Sequence, residues 1–136
     1  MKTLLLLFIL TTALFSMNNF NKGVKAYKEG EHKMAISYWM PYAIDNDSNA
    51  QYLIGNIYYD GKEDVGQDYK KAMEWYEKAS AAGSAKAQLK IALMYCEGDG
   101  VLISYKKAIP YVQKAYNNGY EVASEVWTKY KLYDYE

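Results

Sequence analysis

Cysteine and histidine are almost missing from this chain, with 1 of each in 136 residues. The lone cysteine, Cys96, excludes an intrachain disulfide, so the fold must be held by packing. Neither residue type is present in the clusters that zinc sites need. Proline is confined to Pro41 and Pro110. Few breakers and little loop composition point to a helical chain. Surplus charge is absent too: 16 basic and 16 acidic residues cancel. No strong field draws such a chain to nucleic acid or to anionic lipid. Phosphate-cradling loops and nucleophile elbows are also lacking.

What the chain has in abundance is tyrosine, 16 residues of it, recurring at spaced positions. The stretch from Asn49 to Gly83 explains the spacing. Ala50, Leu53, Ile54, Ile57 and Tyr58 fall on one face of a helix, and Gly61 ends it. Tyr69, Ala72, Met73, Tyr76 and Ala79 repeat the spacing, and Gly83 ends the second helix. The unit is a hairpin of two amphipathic helices.

That unit recurs. Ala87-Gln88, Ile91, Met94-Tyr95 and Gly98 answer Ala50-Gln51, Ile54, Ile57-Tyr58 and Gly61 at a spacing of 37 residues. Tyr105, Lys107-Ala108, Lys114-Ala115 and Gly119 answer Tyr69, Lys71-Ala72, Lys78-Ala79 and Gly83 at 36. The interhelical loop absorbs the one-residue difference. Helical self-similarity at this period predicts a solenoid, in which each hairpin buries its apolar face against its neighbours. At 136 residues the chain has room for one domain with a sizeable core.

On these residues the chain resembles the Sel-one-like repeat family, relatives of the tetratricopeptide repeat. The resemblance covers nearly everything from Val24 to Tyr130. It departs where Gly55 becomes Ala92, where Trp75 becomes Tyr111, and where Pro110 enters a helix. It implies an all-α, right-handed α-solenoid of antiparallel hairpins, about seven helices in all. It also implies a non-enzymatic binding scaffold with a protein or peptide partner and no cofactor, of a kind frequent in bacterial envelopes. Some secreted relatives staple each hairpin with a cysteine pair; this chain has no such pair.

Met1-Lys2 followed by apolar Leu4 to Leu10, extended by Ala13-Leu14-Phe15, resembles a secretory signal of residues 1–16, cut after Ser16. The apolar run is too short to span a bilayer comfortably. The remainder, 17–136, divides into hairpins over 20–45, 48–83 and 84–119 and a closing helix over 120–132. The expected protein is an exported, periplasmic or secreted monomer that touches a membrane only through an uncleaved N-terminus. An uncleaved anchor, a buried first helix and a cytosolic adaptor stand as alternatives.

Within the first hairpin, helices over Phe20–Glu29 and Met34–Ile44 flank a turn at Gly30-Glu31-His32, which leaves His32 in solvent. Pro41 removes one hydrogen bond from the second of these helices. Ser48 and Gln51 have the spacing of a capping box. Asp68, Ser84 and Ser104 stand where helix caps are expected. Tyr120 to Tyr130 restarts a first-type helix without a partner, and Lys131 to Glu136 reads as a frayed polar tail.

Ser104-Tyr105-Lys106-Lys107 matches the serine-x-x-lysine pattern of penicillin-recognising enzymes, and some relatives have been labelled beta-lactamases. The partner motifs Ser-Asp-Asn and Lys-Thr-Gly are missing, and Ser104 is the repeat equivalent of Asp68 at a helix start. A lactamase-like or cell-wall hydrolase is therefore the rival reading, and no catalytic or metal-binding residue is assigned. In this architecture the first helix of each hairpin lines the concave side. Tyr52, Asn56 and Tyr59, with their repeat equivalents Leu89, Leu93 and Cys96, lie off the core stripe of those helices. Tyr52, Asn56, Tyr59, Leu89 and Leu93 form the candidate partner face, since tyrosine gives contact area at low entropy cost. The competing reading packs them between hairpins.

Overall fold

The small-to-large pairing of side chains across each hairpin sets how closely its helices approach. In the computed structural model, which describes residues 19–136, seven α-helices follow one another. They are α1 (19–28), α2 (His32–Ile44), α3 (Ser48–Asp60), α4 (Tyr69–Ala81), α5 (Ala85–Glu97), α6 (Tyr105–Asn117) and α7 (Ala123–Lys129). A 3-10 turn, Leu132–Tyr135, ends the chain, and no strand is formed among the described residues. Among the described residues, extensive contacts from α2 through α7 join helices that are neighbours in sequence, as expected of a solenoid.

Two glycines on first helices face bulky rings on second helices. A Cβ at Gly23 would lie 2.4 Å from the Trp39 ring, and one at Gly55 would lie 2.6 Å from the Tyr76 ring. At the next repeat the same pair is Ala92 and Val112, both fully buried in the last core cluster. One extra methyl on the first helix is matched by a smaller partner on the second. The departure from Gly55 to Ala92 is thus a paired change of volume.

Three apolar clusters run along the stack. The first joins α1, α2 and α3 around Trp39, Ile54 and Ile57. The second joins α4 and α5 around Met73, Tyr76, Ile91 and Met94. The third joins α5, α6, α7 and the terminal turn around Ala108, Val112, Val126 and Leu132. Cys96 is buried in this third cluster, and burial pushes its thiol up to about 11, so it stays protonated as a small core residue.

Four helices are capped by the side chain of their own N-cap residue. Asp68, Ser84 and Ser104 accept from the backbone N–H groups of Lys71, Ala87 and Lys107. At α3 the cap is Asp47, which accepts from Ala50 N–H at 2.8 Å, and Ser48 is the first helical residue. The expected Ser48–Gln51 capping box is corrected accordingly. One residue further into the helix, Gln51 is buried and donates instead to the Ala43 carbonyl at 2.9 Å. Gln88 does the same to the Ser80 carbonyl at 3.4 Å. The recurring Ala-Gln pair therefore ties α3 and α5 to the C-terminal ends of the helices before them, where carbonyls no longer have an i+4 helical N–H and are otherwise met only by the closing turn.

Two further expectations change. His32 opens α2 and is not a solvated turn residue. Its Nδ1 lies 2.7 Å from Asp64 Oδ1, and its ring meets Tyr27 edge-on at 5.3 Å. Asp64 also accepts from Lys33 N–H at 2.8 Å, capping α2 from the α3–α4 loop where Glu31 makes no side-chain cap. At the other end, α7 is only 7 residues long. The position equivalent to Ser84 is Tyr120, which has no short acceptor to cap a helix, so 120–122 form a turn. The tail is not frayed: Lys131 adopts φ 48°, turning the chain back so that Leu132 is fully buried.

Candidate partner-binding face

Caps and core stripes fix the rotation of α3 and α5, and with it the off-stripe side chains. Ile54 and Ile57 are fully buried, which turns Tyr52, Asn56 and Tyr59 toward α4 of the same hairpin and the second cluster. These three gather around the Tyr76 ring. Tyr52 lies 6.0 Å and Tyr59 6.3 Å from its centroid, and the Tyr76 hydroxyl donates to Asn56 Oδ1 at 2.8 Å.

Tyr59 reaches furthest. Its hydroxyl donates to Asp99 Oδ2 at 2.5 Å, its ring meets Tyr69 at 5.2 Å, and the Lys90 ammonium sits 4.8 Å over it. Burial, then the bond to Asp99, raises its phenol well above the ordinary range, so it remains a donor. All three residues stay half-buried, with part of each in solvent. On α5, Leu93 is likewise half-buried against the third cluster, whereas Leu89 is only 5% exposed and serves mainly as packing. The structure thus gathers Tyr52, Asn56 and Tyr59 into one rigid patch and sets Leu93 on the following hairpin.

Sequence reasoning missed Asp99 and Lys90, which clamp Tyr59 from the next hairpin. Tyr59 and Asp99 are 40 positions apart, far outside the i, i+4 pairings that a helix shows in sequence. Only the repeat period itself points to such a contact.

The serine-x-x-lysine motif has a structural role here. Ser104 Oγ accepts from Lys107 N–H at 3.3 Å as a cap, and the Lys107 ammonium lies 5.6 Å over the Tyr95 ring. Among the described residues no group of His, Cys, Asp and Glu side chains is placed to hold a metal ion, and no helix is long and apolar enough to cross a membrane.

The Sel1 repeat matches residues 48–84 and 85–120, the two full hairpins. The chain belongs to the Sel1 repeat family. Sel1 repeat proteins are protein-interaction scaffolds. Two solved structures share its path. A Sel1 repeat protein from Oxalobacter formigenes is 26% identical, with a TM-score of 0.67 over 79% of this chain and 45% of its own. The protective antigen c5321 of uropathogenic Escherichia coli, which displays an SLR fold, is 27% identical, with a TM-score of 0.70 over 79% of this chain and 24% of its own. An Arabidopsis thaliana protein, the ERAD-associated E3 ubiquitin-protein ligase component HRD3A, is 29% identical over 89 residues, 65% of this chain. The chain spans 13% of that relative, and less than half of either bacterial protein. The fold is a right-handed α-solenoid of antiparallel hairpins.

Proposed function

We propose that this Sel1 repeat protein is an exported, non-enzymatic scaffold of the cell envelope that holds a protein or peptide partner on its first-helix face. Tyr52, Asn56, Tyr59 and Leu93 make the contact, with Leu89 packed in the cluster against which Leu93 lies. The observation that carries this reading is the partly exposed tyrosine patch locked around Tyr76. Rings already held by ring contacts and hydrogen bonds lose little freedom when a partner covers them, which is how aromatic anchors yield affinity. Near-zero net charge leaves recognition to shape and apolar contact rather than to long-range steering.

Export rests on the basic start and apolar run of residues 1–16, which lie outside the described residues. The mature N-terminus, read by mass spectrometry after expression in a bacterium, tests it. A start within a few residues of Met17 is expected, and an intact Met1 on protein recovered from the cytosol would overturn it. The face is tested by capture from envelope extract. Tyr52→Arg keeps an apolar stem against Tyr76 while placing a charge on the face. The expected outcome is a partner band that weakens at least about tenfold with melting little changed, a loss of about 1.4 kcal/mol or more. Equal capture by both proteins would contradict the assignment.

A further inference from the structure

A groove of about 490 Å³ opens between α6 and α7 at the C-terminal end of the stack. Val112 and Ala123 form its floor, and Tyr116, Ser124, Trp127 and Thr128 rise around it. Repeat equivalence shows what belongs there. Ser124 and Thr128 of α7 are the counterparts, 36 positions on, of Gln88 and Ala92 of α5. Both α5 residues are at 0% exposure because α6 lies across them. Asn118, just past α6, donates to Gln88 Oε1 at 3.0 Å, and Ala92 packs in one cluster with Ala108, Val112 and Ala115. On α7 the same two positions are exposed, and Tyr116 on the opposite wall is 56% exposed. The groove thus lies on α7 where α6 lies on α5. The terminal 3-10 turn packs along the edge of the groove: Tyr135 meets the Tyr105 ring at 4.8 Å, and Glu136 accepts from Gln113 Nε2, on the groove's rim, at 3.1 Å, while Tyr116 stays exposed.

We propose that this seat takes an amphipathic α-helix from a partner chain, docked across α7 as α6 docks across α5. The interface is continuous with the intrachain one, which specifies the occupant's chemistry. Both helices that fill such seats here carry the same four positions: Ala72, Trp75, Tyr76 and Ala79 on α4, and Ala108, Tyr111, Val112 and Ala115 on α6. The alanines allow close approach. The aromatic residue reaches the preceding cluster, as Trp75 does to the first and Tyr111 to the second. The partner helix therefore carries small residues seven apart, with an aromatic and a bulky apolar residue between them. A second copy of this chain does not fit the register. The first of its described helices, α1, is a first-type helix, and α7 is already one.

The probe is a fluorescein-labelled, end-blocked peptide of residues 67–83, the α4 sequence, which has no internal proline. Anisotropy is measured against the full chain. Saturable binding is expected, weakened at least about tenfold by Ser124→Arg and separately by Thr128→Arg, since each puts a charge in an apolar seat. A peptide bearing Ala72→Asp and Ala79→Asp is expected not to bind. Because Ser124 and Thr128 are exposed, both variants are expected to melt like the parent, and either alone suffices as the control. No saturable binding at millimolar peptide would overturn the proposal. So would binding that both variants leave unchanged, since the peptide would then be displacing α4 or sitting elsewhere. Concentration-dependent dimerisation abolished by Ser124→Arg would assign the seat to a second copy and would overturn it too.

Discussion

Gly55 and Tyr76 illustrate how the size of one side chain is dictated by another across a hairpin. Alanine in a helix interior is ordinarily about 1 kcal/mol better than glycine. Here the added methyl would sit 2.6 Å from a ring carbon of Tyr76. Gly55→Ala is therefore expected to destabilise by about 1–3 kcal/mol. Combining it with Tyr76→Val recreates the Ala92–Val112 pair, so the double variant should be less destabilised than the two single effects added together. Strict additivity in denaturant melts would show that the two sites are not coupled. Asp64 carries a second residue-scale expectation. The Lys33 N–H first, and His32 second, hold its carboxyl below the ordinary value of 3.8. A depressed carboxyl adds stability above its unfolded value, and that stability fades as the pH falls through the folded one. Asp64→Asn should lower the melting temperature at neutral pH, with the gap closing in acid below pH 3.8. A gap unchanged down to pH 2 would contradict the clamp.

At the scale of elements, legibility followed locality. The apolar stripes of α3 to α6, their glycine stops and the caps Asp68, Ser84 and Ser104 are set by neighbours three or four residues away, so the sequence displays them. The burial of Gln51 and the placement of His32 depend on contacts with other hairpins, which periodicity does not contain. The cap at Asp47 is local, but Asp47 and Ser48 are adjacent side chains that can both cap, and spacing alone does not choose between them. The closing segment differs for a similar reason. Its polar composition hides Leu132, whose burial comes from a chain reversal at Lys131. Leu132→Ala is expected to cost about 2–5 kcal/mol, because the residue has no exposure and its space cannot refill. A change below about 0.5 kcal/mol, the level of an ordinary surface substitution, would mean the turn is frayed after all. Ala72→Asp and Ala108→Asp, each at 0% exposure where two helices meet, should unfold their hairpins. Near-normal melting of either would show its helix face misassigned.

For the whole molecule, the core is three clusters in a row, each shared between neighbouring helices, with no disulfide to bind them. The off-stripe placement of Tyr52, Asn56, Tyr59 and Leu93 was legible because the core stripes of α3 and α5 leave them off-axis. What sequence could not separate was how far each side chain is used within the stack. The structure gives Asn56 to Tyr76, Tyr59 to Asp99, and Leu89 to the third cluster. Asn56→Ala would strand the Tyr76 hydroxyl and is a poor probe of binding alone. The most direct measurement replaces single residues by a photo-reactive phenylalanine in the producing cell and reads covalent adducts. Replacement at Tyr52 or Leu93 is predicted to give a discrete adduct that the exposed outer-layer positions Lys70 and Glu74 do not give. Adducts from the outer positions alone, or none from Tyr52 and Leu93, would contradict the account.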